Sequence, residues 1–176
     1  GALISLPVAS SILAGCKASG KIDWEPAFFT PDEAKAVQQV ADIILPRSSS
    51  PAASDVHVPE FIDLIVMDCF NSEQQNAFKT GLNKMLGEFR EKKTKDFING
   101  NEKDQTEFII SMDSQLVNPG SGNFYRTLKQ LILLGYFTSE EIMQNHLNYH
   151  AIAGQHIGCI PYKEGDKIFV DNNVVG

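Results

Sequence analysis

The stretch TPDEAKAVQQVADIILP, positions 30–46, constrains the fold more than any other. Thr30 can cap a helix, Pro31 suits its first position, and Glu33 completes a T-x-x-E capping box. Ala34, Val37, Val40, Ala41 and Ile44 then recur on one helical face until Pro46 stops the helix. A chain that starts this way and repeats the pattern downstream builds its core from packed helices.

The pattern does repeat. After the polar loop RSSSPAASDVHVP, Pro59 opens a second helix, EFIDLIVMDCF, whose faces are marked by Phe61, Leu64, Ile65 and Asp68/Cys69. Ser72 with Gln75 reads as the next capping box. Phe78, Leu82, Met85 and Phe89 follow as an apolar stripe that ends in the basic cluster REKKTK at 90–95. NGNEKD at 99–104 is a turn, and Phe108, Ile109, Met112 and Leu116 carry a fourth helix. NPGSGN at 118–123 breaks the chain before FYRTLKQLILLGYF, read as the most hydrophobic and central helix. Thr138 and Glu141 start a short sixth helix through Leu147, and YKEGDKIFV in the tail has the look of a small hairpin. The expected fold is all-α: five to six helices around one core, with an irregular C-terminal arm.

Before the first helix, positions 2–15 carry no charge, the length of an export signal's apolar region. Leu13-Ala14-Gly15-Cys16 resembles the bacterial lipobox, in which the cysteine receives a diacylglycerol group and becomes the mature N-terminus. The other reading, a core cysteine closing a first helix, is opposed by Lys17-Ala18-Ser19-Gly20-Lys21, a polar tether without periodicity. The expected division is 1–15 residual signal peptide, 16–27 lipidated tether and 28–176 helical domain. Cys16 then anchors the chain to a membrane on the exported side, periplasmic or at the outer face of a bacterial membrane. Cys69 and Cys159 remain; outside the cytoplasm they could pair, but two cysteines do not reveal that, and free thiols are the default.

Net charge is −7, and the one basic cluster is short, so the chain lacks the clustered cations that nucleic-acid binding requires. No G-x-G-x-x-G follows a strand, no nucleophile elbow is present, and there is no C-x-x-C-H for covalent haem. Paired carboxylates sit at helix starts, where capping explains them. By residues the chain shows no catalytic group and no cofactor cradle of its own. His146, His150, His156 and Cys159 lie close in sequence and make a candidate zinc or copper site, although the helix end near Leu147 removes the i,i+4 geometry. In the tail, Tyr149, His150, His156, Ile157, Ile160 and Tyr162 are either a cover for the core or anchors for a partner.

Phe29, Thr30, Glu33, Ala41-Asp42, Ile44, Pro46 and the run Val58-Pro59-Glu60-Phe61-Ile62-Asp63 together resemble the opening of the gluconate 2-dehydrogenase subunit 3 family. The ending from LLGYFT into the glycine-containing tail is similar to that family's C-terminal region, so the likeness spans roughly positions 28–161. The resemblance implies a small exported accessory subunit that accompanies a large FAD-dependent dehydrogenase of the glucose-methanol-choline type. The large subunit carries the FAD and the chemistry on a sugar or sugar acid, and a separate cytochrome often takes the electrons. The small subunit would assist folding, export and anchoring. A free-standing metal-binding lipoprotein is the alternative.

Overall fold

A computed structural model describes residues 22–116 and 123–149, with 161, 163–167 and 169–170 of the C-terminal arm. The segment 1–15, Cys16, the breaker at 118–122 and the tail residues His150, His156, Ile157, Cys159, Ile160 and Tyr162 lie outside them. Among the described residues five α-helices build the fold: α1 (Pro31–Ile44), α2 (Val58–Cys69), α3 (Ser72–Lys93), α4 (Glu102–Gln115) and α5 (Asn123–Phe137). A π-helical turn, Ile142–His146, follows α5. The all-α expectation holds.

Helix α1 forms as its sequence dictates. The Thr30 side chain accepts from the Glu33 amide, Glu33 accepts from the Thr30 amide, and Ala34, Val37, Val40 and Ala41 are buried. Leu45 and Pro46 end it. The α3 stripe Phe78, Leu82, Met85 and Phe89 is buried as its spacing predicts. Two aromatic clusters fill the core between helices. Phe78 sits edge-on to Phe124, with centroids 4.9 Å apart, and also meets Phe29 and Phe70. Phe89 packs against Phe97 at 4.9 Å and Phe108 at 5.4 Å. Gln105, buried beside the second cluster, donates to the Phe97 carbonyl at 2.6 Å.

Four details differ from the sequence reading. The α3 capping box is Asn71 with Gln74, one residue earlier than Ser72 with Gln75. Helix α2 turns Val58, Pro59, Ile62, Asp63 and Val66 inward, so Leu64 faces solvent and Phe61 and Ile65 are only half-buried. Helix α5 is less apolar along its length than α2, and it shares the centre with α1, whose buried face is sealed more completely. Thr138 closes α5 rather than opening a sixth α-helix, since its hydroxyl donates to the Leu134 carbonyl at 2.7 Å. The chain then under-winds into the wider π turn, where the Leu147 amide reaches the Ile142 carbonyl at 2.9 Å.

The arm pairs in an unexpected way. Strand β2 (Phe169–Val170) lies parallel to β1 (Asn148–Tyr149), with Asn148 opposite Phe169. Among the described residues this is not the hairpin that YKEGDKIFV suggests, although Lys163–Asp166 does form a tight turn with Gly165 at φ +94°. Lys167 donates to the Asn145 carbonyl at 2.6 Å, which ties the arm to the π turn.

Candidate interaction surface

The segment ahead of α1 is held by one carboxylate. Asp63, 1% exposed on the inner face of α2, accepts from three successive amides: Ala27 at 2.7 Å, Phe28 at 3.1 Å and Phe29 at 2.8 Å. No cation is needed, because converging N–H dipoles stabilise the buried charge. The strap is also packed down by Phe29, which is buried, by Trp24, which is half-buried, and by Phe28, whose ring sits under the Lys79 ammonium at 5.5 Å. Any tether from the N-terminus is therefore fastened to the helical body at residues 27–29.

The loop after α1, the 3-10 turn Ser54–Val56 and the π turn form a polar cleft. Arg47, Asp55, His57, Glu140 and Glu141 line it. His57 holds a left-handed backbone, φ 59°, where the 3-10 turn meets α2. Its ring Nδ1 lies 2.9 Å from Glu60 Oε1, and this hydrogen bond to Glu60 raises the imidazole pKa above its ordinary value. Beside it is an apolar cleft of 340 Å³ lined by Leu45, Pro46, Tyr136, Phe137, Ile142, His146 and Leu147. Tyr136 donates to Pro51 at 2.8 Å and so ties α5 to the loop.

Large apolar side chains are also exposed on α2 and α5. Leu64 on α2 is 53% exposed, and Leu134 and Phe137 on α5 are 51% and 45% exposed. Helices α2 and α5 pack closely, with the Phe61 ring against Gly135, where an added Cβ would stand 2.6 Å from Phe61 Cδ1. Ordinary surface leucines occur singly; two from adjacent helices beside a half-buried phenylalanine make a patch.

Of the residues singled out in the sequence, the structure describes Tyr149, 40% exposed at the start of the arm, and His146, half-buried against the apolar cleft. Among the described residues no group of three His, Cys, Asp or Glu side chains is arranged to hold a metal. The other proposed ligands, His150, His156 and Cys159, fall outside them. Cys69 is a free, exposed thiol at the end of α2. Among the described residues no helix is long and apolar enough to cross a membrane. The sequence reading named Asp63 and Leu64 but gave neither its place, Asp63 buried under the strap and Leu64 exposed. In the structure Pro59, Ile62, Asp63 and Val66 share the buried face at i, i+3, i+4 and i+7, which leaves Leu64 off it, but the apolar run 61–66 does not by itself say which face turns inward.

Comparison with curated proteins and with solved structures gives no match. Comparison with protein families does: the family described as Gluconate 2-dehydrogenase subunit 3 matches residues 31–154, from the first residue of α1 into the C-terminal arm. A chain matched over that span belongs to the gluconate 2-dehydrogenase subunit 3 family, and is an accessory subunit of a dehydrogenase.

Proposed function

We propose that this chain is a non-catalytic, lipid-anchored helper that assists the export and maturation of an FAD-dependent sugar or sugar-acid dehydrogenase and holds it at a membrane surface. The observation that carries the reading is the family match across all five helices. The FAD and the redox chemistry belong to a large partner subunit of the glucose-methanol-choline type, and a cytochrome is its electron acceptor. Cys16 carries the lipid, on the periplasmic or outer face of a bacterial membrane. Two features support anchoring: the lipobox-like Leu13-Ala14-Gly15-Cys16, and the Asp63 clamp, which makes residues 27–29 a firm point of attachment. The C-terminal arm adds partner contacts through Tyr149, His150, His156, Ile157, Ile160 and Tyr162, with the Tyr149 side chain standing exposed at its start.

Cell fractionation tests this. Sugar dehydrogenase activity, read with an artificial acceptor, is expected in the membrane fraction of cells carrying the native chain. Cys16→Ser is expected to release that activity into the soluble exported fraction, and deletion of the chain to remove it from the exported compartment. Activity that stays membrane-bound and undiminished in both strains contradicts the proposal.

A further inference from the structure

We propose that the exposed seam between α2 and α5 is the surface on which the dehydrogenase's catalytic subunit docks, an inference that rests on the accessory-subunit reading above. Along α2, Phe61, Leu64, Ile65 and Asp68 follow one another at i, i+3, i+4 and i+7, one stripe of a helix turning ~100° per residue. Along α5, Leu131, Leu134 and Thr138 make the facing stripe, next to the Gly135 that receives the Phe61 ring. Leu64 and Leu134 stand more than half exposed, at 53% and 51%, whereas Phe137 at the end of α5 lines the apolar cleft. The chain's own strap does not cover this seam. It is held by Asp63, on the opposite flank of α2 from Phe61.

The charge around the patch says what kind of face fits it. Asp68 is exposed at one end, and Glu60, one helical turn from Leu64, is paired with His57. The two cations of α5 are turned elsewhere, Arg126 to the Leu116 carbonyl at 3.0 Å and Lys129 to Asp113 at 2.7 Å. An apolar centre with a carboxylate at one end complements a protein face with an apolar centre and a basic group beside it. A family whose members are the third subunit of a dehydrogenase supplies that partner.

The test is capture of the flavoprotein by the tagged full chain, co-expressed with it, read as flavin absorbance per accessory chain. Leu64→Asp with Leu134→Asp places two charges at the centre and is expected to cut capture at least about tenfold. Asp68→Lys is expected to cut it several-fold, and Ile110→Asp, 61% exposed on α4, to leave it unchanged. Circular dichroism checks that each variant is folded; should the double aspartate variant not fold, Leu64→Gln with Leu134→Gln replaces it with the same expectation. A native chain that captures no flavoprotein overturns the accessory-subunit reading and this inference with it. A native chain that captures it, while the folded seam variants capture it equally, overturns this inference alone. A native chain that self-associates, with the seam variants monomeric, assigns the seam to a second copy and also overturns it.

Discussion

Replacing Asp63 by alanine is the sharpest probe of the fold, because one side chain holds a whole segment. The carboxylate takes the amides of Ala27, Phe28 and Phe29, and only the Phe29 bond is wholly buried. Leaving that amide unpaired costs about 1–3 kcal/mol, whereas water can reach the other two, whose loss costs about 1 kcal/mol each. The total is about 3–5 kcal/mol, a large share of the 5–15 kcal/mol typical of a domain. With a urea slope of about 2 kcal/mol/M, the unfolding midpoint should fall by about 1.5–2.5 M. The chain's single tryptophan, Trp24, lies in the strap and packs on the core, so its fluorescence reports strap release while circular dichroism reports the helices. In the Cys16→Ser background the two probes should coincide; on adding Asp63→Ala the tryptophan transition should precede the helical one. A midpoint within about 0.5 M of the parent, with the probes still coincident, would refute the clamp.

Glycines in α3 should respond oppositely. A Cβ at Gly81 meets Phe124 at 2.4 Å, at that residue's own Cβ, which no rotamer change moves away, so Gly81→Ala should cost about 1–3 kcal/mol. Gly87 meets nothing within 4 Å, so Gly87→Ala should raise stability by about 0.5–1 kcal/mol; thermal denaturation distinguishes the two. His57, raised by its bond to Glu60, should titrate by NMR above the ordinary histidine value of about 6.5, and Glu60→Gln should bring it down. Its small stabilising effect is therefore complete below that unfolded-state value and fades as pH rises through the folded one; a midpoint at or below about 6.5 contradicts the pairing. Tyr125 is buried with its hydroxyl donating to Asp113 at 2.9 Å, and burial pushes its pKa up, so alkaline titration should show it ionising only as the fold opens.

Much of this fold was readable in the sequence because the signals are local. The Thr30–Glu33 box, Pro46 and the Phe78 to Phe89 stripe each sit within a few turns of what they determine. Where two signals overlap, sequence could not choose: Asn71 and Ser72 can both cap, with Gln74 and Gln75 equally placed to answer. The run from Phe61 to Val66 is apolar on most sides, so periodicity alone left its inner face open, and the partner that fixes it is 34–36 residues away. The patch formed by Leu64 and Leu134 likewise exists only once α2 lies against α5. The π turn and the two-residue parallel pairing follow from tertiary docking of the arm, which short segments of sequence do not encode.

Native mass spectrometry of the tagged full chain, purified from cells that express its dehydrogenase, tests the central claim most directly. The account predicts a complex of this chain with one larger protein that holds FAD, the flavin remaining with the larger protein when the two are separated. A chain recovered alone, or with flavin bound to itself, would contradict it.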